Sequence, residues 1–378
     1  MSSILPGATI GLLGGGQLGR MTGYAARSLG FELHVLDPDP DCPARAVASR
    51  VITARFDDAD AAADLASRCD IVTLEIEQIA PAALAAVEAR APLRPGANVV
   101  TVVQNRLHQR EWLDRHGFPV GPWRGVDSAE ACVAAFETLG PTVFKAPVGG
   151  YDGRGQVRAT TRDQARDAWS ALGGRPLLAE QFLKIDLELS VLVARRPDGS
   201  AAIYPPAINH HERGVLDWSV FPGTLPPAVV REAMELGESL ARSLGVVGLL
   251  AAELFLVDGR RLLVNELAPR PHNSYHHSER ACSTSQFEQF VRAVCDLPLG
   301  SVTVVRPAAI ANLLGDLWRG GSPPPWPDAL AIPDVRLHLY GKTAARPGRK
   351  MGHLSAIGET VDLARAKVLS ARSTLSRT

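Results

Sequence analysis

Neither sign of charge is in excess, with 40 acidic residues against 40 basic ones in a chain of 378. A chain so balanced has no long-range field to attract nucleic acid or an anionic membrane, so any anion must be held by a local cluster. Cysteine is scarce. Cys42, Cys69, Cys132, Cys282 and Cys295 are odd in number and scattered, with no Cys-x-x-Cys pair. That argues against a disulfide framework and a cysteine zinc site, and suits a reducing cytoplasm. No apolar run approaches the roughly 20 residues a membrane span needs. The N-terminus lacks a basic region before its apolar stretch, and glycines interrupt that stretch, so no signal peptide is read. The expectation is a soluble cytoplasmic protein, long enough for two or three domains.

Glycine, by contrast, is concentrated. Gly149, Gly150, Gly153 and Gly155 fall within seven residues, directly after Lys145 and the apolar run Pro141–Phe144. A strand, an ammonium and a flexible loop carrying Arg154 describe a lid whose amides could close on a polyphosphate. No Gly-Lys-Ser/Thr closes it, so it is not a Walker loop. A second glycine cluster, Gly14-x-Gly16-x-x-Gly19, follows the strand Ala8–Leu13 and precedes a helix, with Asp37 at the end of the next strand. This is the dinucleotide fingerprint in its expected setting, and it raises a dehydrogenase alternative.

Strand and helix patterns go on alternating: helix 59–68, strand 71–75, helix 81–89, then Val99–Val102 read as a strand. Such repeats give a parallel sheet with helices on its faces. Glu75 and Glu77 sit at a strand end, where ligands of such sheets lie. Past a helix over 105–117, the turn Phe118–Pro122 enters a new domain.

Further on, strands 249–257 and 262–266 flank Asp258-Gly259, a strong hairpin signal. With a two-residue turn, Glu253 would face Val264 and lie diagonal to Glu266, about 7 Å apart at Cα. Two inward acids at that span suit a hard cation. The loop from Ala268 to His277 holds Arg270, His272 and Asn273 and is pinned by Pro269 and Pro271. Its histidines lack helical zinc spacing, so a small-oxyanion site beside the metal is expected. Near the C-terminus, Lys342, Arg349 and Lys350 form a basic loop.

Taken together, these stretches resemble an ATP-grasp ligase and, within that group, the 5-(carboxyamino)imidazole ribonucleotide synthase family. The resemblance rests on Gly15–Met21, Thr73-x-Glu75-x-Glu77, Gln104-Asn-Arg106, Gly149–Gln156, Asn265–Arg270, His272-Asn-Ser274, Tyr340-Gly-Lys342 and Arg349–His353. It implies an α/β chain: an ATP-grasp fold after a Rossmann-like parallel domain and before a small β-rich C-terminal domain. The boundaries expected are 1–104, 105–300 (lid about 120–183, metal-bearing part about 184–300) and 301–378. The implied reaction uses ATP, Mg²⁺ and bicarbonate to carboxylate 5-aminoimidazole ribonucleotide through carboxyphosphate, in a homodimer.

By the same resemblance, ATP would be held by Arg106, Lys145, Gly150, Tyr151, Asp152, Gly153, Arg154, Gly155 and Gln156. Glu180, Gln181, Phe182, Leu183, Glu188, His211, Asn265 and Glu266 would complete that site. Glu253, Glu266 and Asn265 would bind the metal. Arg270, His272, Asn273 and Arg154 would hold bicarbonate and carboxyphosphate, and Glu75, Tyr151, Asp152, Lys342, Arg349 and Lys350 the ribonucleotide. Three residues depart from the family pattern: Gln78, Arg110, and Tyr275, whose ring could narrow the mouth of the site. A formate-using relative, a dehydrogenase and a non-catalytic nucleotide sensor are the alternatives.

Overall fold

A computed structural model describes residues 3–149, 155–318 and 322–376. Strands β1 (Thr9–Leu13), β2 (Glu32–Asp37), β3 (Arg50–Thr53) and β4 (Ile71–Leu74) form a parallel sheet in the order β3-β2-β1-β4. Helices α1 (Gln17–Ser28), α2 (Ala59–Ser67), α3 (Pro81–Glu88) and α4 (Ala97–Val103) accompany it. Their starts are written in the sequence: the Asp58 carboxylate accepts from Ala61 N, and Pro81 opens α3. The run Val99–Val102 is a correction, since it lies in α4 and not in a strand. Val99 and Val103, one turn apart, fill one core while Val100 fills another. Burial on two sides of a helix here overrides β-branched propensity.

The segment expected to form the lid follows α5 (Arg106–Arg115), whose N-terminus is capped by the Asn105 side chain. Its strands β5 (Trp123–Val126), β6 (Thr142–Lys145), β7 (Gln156–Ala159) and β8 (Leu177–Gln181) make an antiparallel sheet ordered β5-β8-β6-β7. Helices α6 (Ala129–Leu139) and α7 (Arg162–Ala171), capped by Ser128 and Thr161, share one apolar core with it. The glycine loop joins β6 to β7. Its tip, comprising Gly150, Tyr151, Asp152, Gly153 and Arg154, lies outside the described residues.

The remaining strands are β9 (Leu187–Arg195), β10 (Ala201–Glu212), β11 (Val215–Phe221), β12 (Gly248–Val257), β13 (Arg261–Ala268), β14 (Ala308–Leu314), β15 (Val335–Leu339) and β16 (Lys350–Ile357). They form one eight-stranded sheet ordered β13-β12-β9-β10-β11-β14-β16-β15. Along β9, Val191 and Val193 pack with α8 (Pro227–Leu244), while Leu192 and Ala194 join the opposite core. Strand alternation with apolar residues on both faces is what a sheet covered on both sides requires. Past the short α9 (Ser278–Ala281), the helix α10 (Gln286–Val294) supplies Phe290 and Val294 to the core that also takes Ile10, Phe31 and Leu33. That core is shared between the N-terminal sheet and the large sheet.

C-terminal strands extend this sheet through β11 and β14, which pair Trp218 with Ala311. After α11 (Trp326–Leu330), the closing helix α12 (Val361–Thr374) packs across β14 and β16. No helix among the described residues is long and apolar enough to cross a membrane.

Candidate active site

The hairpin of β12 and β13 is built differently from the two-residue turn that Asp258-Gly259 predicts. Val257 pairs with Arg261, which makes the turn one residue longer, with Asp258 and Gly259 both at positive φ. A bulge between Glu253 and Leu254 shifts the register once more, so Leu254 takes Val264 as partner. Glu253 therefore stands directly across from Glu266 rather than diagonal to it. Directly opposed residues have closer Cα atoms than diagonal ones, and the bulge is what opposes these two.

Their electrostatics diverge. Burial would raise Glu253, but its contact with His272 Nε2 at 3.2 Å, with the charges of His211 and Lys350, brings its pKa down to about 2. Asn265 Nδ2 also donates to Glu253 Oε2 at 3.3 Å. Glu266 moves upward, because the surrounding protein walls and the Glu253 charge outweigh the pull of Arg106. Two carboxylates and an amide oxygen form an all-oxygen donor set with excess negative charge, which fits Mg²⁺.

Arg270, His272 and Asn273 follow β13 and face the same cleft, a space of about 540 Å³. Glu77, from the end of β4, reaches the Arg270 Nε at 2.8 Å. The His272 ring is gripped on both sides, by Glu253 and by the Ser274 hydroxyl 2.8 Å from Nδ1. Behind it runs a buried polar chain: Ser274 to Ser190 at 2.8 Å, Ser190 to Asn209 at 3.1 Å, and Asn209 to Ser219 at 2.9 Å. Asn273 is different, for both polar atoms of its side chain are buried without a partner among the described residues, on the cleft wall. A buried amide left open in this way is a site for a ligand.

On the lid side, Lys145 Nζ lies 2.6 Å from Glu180 Oε2. Arg110 pairs with the same carboxylate and donates to the carbonyls of Val264 and Asn265, at 2.9 and 3.0 Å. One arginine thus ties the β8 strand to the β12–β13 hairpin. Burial would raise Glu180, but Lys145 and Arg110 hold its pKa below the ordinary range. Arg106 donates to Ala146 O at 2.9 Å and lines the cleft with Lys145 and Gln156. The backbone of Gly155 accepts from Ala146 N at 2.8 Å where the loop rejoins the sheet. Opposite, Glu188 and His211 approach to 2.5 Å. Burial disfavours a charge on His211, yet Glu188 and Glu253 raise its pKa.

Other expected residues stand off this wall. Glu180 is behind Lys145, and Gln181 donates to Leu139 O at 2.9 Å. Phe182 is 42% exposed, with the Arg158 guanidinium 3.5 Å over its ring, and Leu183 is half-buried beside it. Among the ribonucleotide residues, Glu75 and Lys350 line the cleft. Lys342 donates to Lys350 O at 2.8 Å, and Arg349 to Ala344 O at 2.7 Å, so both brace the basic loop outside that wall.

Glu75 also accounts for the fingerprint glycines. Its carboxylate accepts from Gly16 N at 2.7 Å and Gly19 N at 3.0 Å, while Asp37 takes Gly15 N at 2.7 Å. The amides that would receive a pyrophosphate are already used by the chain's own acids. Burial raises Glu75 to about 6 against these two bonds. A β-carbon on Gly16 would sit 2.6 Å from Glu75 Oε1; the glycine is there for close approach.

Tyr275 does not narrow the mouth. It is wholly buried, its hydroxyl donating to Ser190 O and Pro205 O, with its ring between Tyr204 and Phe221. Gln78 lines the cleft. Missed by sequence reasoning are Phe255 and the Arg270 partner role of Glu77. Phe255 could have been found, since it lies two residues from Glu253 on one strand.

A further grouping, Glu279, His338 and His353, has ligand atoms within 4.8 Å of one another. Its two imidazoles stack face to face, with centroids 4.4 Å apart and planes 5° apart. Lone pairs in such rings run side by side and do not converge on one ion, so the grouping is packing.

Comparison with known proteins agrees with this layout. Residues 7–104 match the ribonucleotide synthetase preATP-grasp domain, 111–287 the ATP-grasp domain, and 308–367 the phosphoribosylaminoimidazole carboxylase C-terminal domain. The N5-carboxyaminoimidazole ribonucleotide synthase of Brucella melitensis is 40% identical over 94% of this chain and 98% of its own. The Staphylococcus aureus N5-carboxyaminoimidazole synthetase, solved with ADP, superposes with a TM-score of 0.91 at 33% identity, covering 98% of each chain. The Aspergillus clavatus enzyme, solved with ADP and 5-aminoimidazole ribonucleotide, gives 0.90 at 30% identity, over 98% of this chain and 99% of its own.

Proposed function

The chain belongs to the N5-carboxyaminoimidazole ribonucleotide synthase family of ATP-grasp ligases and carboxylates 5-aminoimidazole ribonucleotide with ATP in purine biosynthesis; from that premise we propose how its residues divide the work. Bicarbonate is the carbon source. One bicarbonate oxygen attacks the γ-phosphorus of ATP, the bond to the β-phosphate oxygen breaks, and ADP leaves. The amine nitrogen of the ribonucleotide then attacks the carboxyl carbon of carboxyphosphate. The carbon–oxygen bond to phosphate breaks, and the amine proton leaves with the phosphate.

Phosphoryl transfer needs positioning and charge neutralisation more than covalent help. Lys145 and Arg106 face the phosphates, with Gly150, Gly153, Gly155 and Gln156 of the lid closing over them. Glu180, Gln181, Phe182 and Leu183 border the adenine, and Glu188 and His211 the ribose. Glu253, Glu266 and Asn265 would hold Mg²⁺, which when bound neutralises charge on the transferring phosphate. Arg270, His272 and Asn273, with Arg154, hold carboxyphosphate away from water until the amine attacks. Glu75, Lys342, Arg349 and Lys350, with Tyr151 and Asp152, bind the ribonucleotide. The family resemblance extends this reading to a homodimer. Five unpaired cysteines support a cytoplasmic setting.

One observation carries the assignment. The open amide of Asn273 lies in the same cleft as Arg270 and the Glu253–Glu266 pair, so an anion-binding group sits beside a cation-binding one. An ADP-release assay with ¹³C-bicarbonate, formate and the ribonucleotide withheld in turn tests it. Label is expected in the product, with turnover dependent on bicarbonate. Equal turnover with formate would favour the alternative reading and overturn this one.

A further inference from the structure

The loop proposed to hold carboxyphosphate is not anchored by its own strand alone. Gln286, the first residue of α10, is fully buried and spends its whole side-chain amide on that loop. Its Oε1 accepts from His272 N at 2.8 Å, and its Nε2 donates to His272 O at 3.0 Å and to His276 Nδ1 at 3.1 Å. Both amide hydrogens and the carbonyl are therefore used, and a flipped amide would set oxygen against oxygen. The backbone of Gln286 is fixed too, since its N–H donates to the Ser278 hydroxyl at 2.9 Å, and that hydroxyl donates to Tyr275 O at 2.6 Å.

An acceptor role for His276 Nδ1 leaves its proton on Nε2 in the neutral ring, a state that full burial favours. That ring stacks on His353 of β16 at 4.7 Å, and the Tyr340 hydroxyl meets His353 Nδ1 at 2.9 Å. A continuous set of contacts thus runs from His272 through Gln286 and His276 to the strand that begins with Lys350.

We propose that Gln286 is a positioning residue that sets His272 and Asn273 for capture of the carboxylated intermediate, and so governs coupling of ATP cleavage to carboxylation. The inference rests on the assignment of that loop to carboxyphosphate. Gln286 is not among the residues that line the cleft. Its loss should spare ATP binding and let carboxyphosphate escape to water, which returns bicarbonate and phosphate while ADP accumulates. A displacement of about 1 Å at such a site can cost on the order of a hundredfold.

The test compares wild type with Gln286→Met, which keeps the volume, and Gln286→Glu, which keeps the acceptor and loses both donors. ADP, carboxylated ribonucleotide and the KM for ATP are measured in each. Expected is a fall of about tenfold or more in product per ADP, with the KM for ATP within about twofold of wild type. If Gln286→Met does not fold, the coupling ratio of Gln286→Glu decides. Wild-type coupling in either folded variant overturns the proposal, and so does loss of ATP binding in step with product in both, which would mark a purely structural role. Wild type that makes no carboxylated product would instead overturn the functional assignment beneath it.

Discussion

Glu77 Oε1 lies 2.8 Å from Arg270 Nε, an ion pair that joins the last strand of the N-terminal sheet to the loop after β13. Both side chains are largely buried, and Glu75 and Glu266 add negative charge around the guanidinium. The N-terminal domain thus contributes directly to aiming the group proposed to hold carboxyphosphate.

Replacing Glu77 by Gln keeps a hydrogen-bond acceptor near Arg270 and removes the charge that orients it. The expected outcome is a fall in kcat of roughly tenfold to a hundredfold, the cost of a misaimed group, with little change in the KM for ATP. Steady-state titration of each substrate measures this. An unchanged kcat would leave the pair as a domain contact without catalytic consequence.

Glu266→Gln separates catalysis from stability. In the metal-free protein the Glu266 pKa is raised on folding. The folded state then holds the proton more tightly than the unfolded state, and stability falls as pH rises from the ordinary carboxylate range through the raised value. Removing the charge should therefore raise the metal-free Tm at neutral pH. Addition of Mg²⁺ should stabilise wild type more than the variant. Turnover moves oppositely, with kcat lower by about a hundredfold or more, as for loss of a group acting in the transition state. Thermal melts with and without EDTA, alongside kcat at saturating Mg²⁺, give both signs.

Much of this site was legible because its parts are short and local. Lys145 ends a strand, four glycines fall within residues 149–155 just beyond it, and Pro269 and Pro271 pin the loop that carries Arg270 to Asn273. The errors came where distant parts of the chain decide. Nothing near Glu253 announces the bulge that sets it opposite Glu266, because a bulge is fixed by both strands together. Val99–Val102 has strand chemistry, and only the two cores on either side make it a helix. Tyr275 looked obstructive beside His272, but the 3-10 turn at Asn273–Tyr275 and the hydroxyl's two carbonyl partners turn it into the core.

Gly16→Ala tests the glycine turn. The added β-carbon would meet Glu75 Oε1 at 2.6 Å, so the carboxylate must release the Gly16 or Gly19 amide. Leaving such buried groups unpaired costs about 1–3 kcal/mol, to be read from urea unfolding. The KM for the ribonucleotide should rise as Glu75 is displaced. NADH fluorescence should show no saturable binding in wild type or variant. Tight NADH binding to wild type would mean that the turn serves a dinucleotide after all.

The basic loop supplies the last prediction. Lys342 Nζ on Lys350 O and Arg349 Nη1 on Ala344 O hold three cationic residues within a loop that ends at β16. A ribonucleotide 5′-phosphate is a compact dianion, and a chain without net charge must meet it with such a local cluster. Arginine can grip a phosphate with two parallel hydrogen bonds, which an ammonium cannot reproduce. Arg349→Lys should therefore weaken ribonucleotide binding although the charge is kept. A charged hydrogen bond lost costs about 1.5–3 kcal/mol, which raises KM roughly tenfold to a hundredfold. The KM for ATP should hardly move, because Lys145 and Arg106 line the cleft on the lid side, far along the chain. Separate titrations of the two substrates decide it. A rise in the KM for ATP with none for the ribonucleotide would assign this loop to the nucleotide and leave the 5′-phosphate to be held elsewhere.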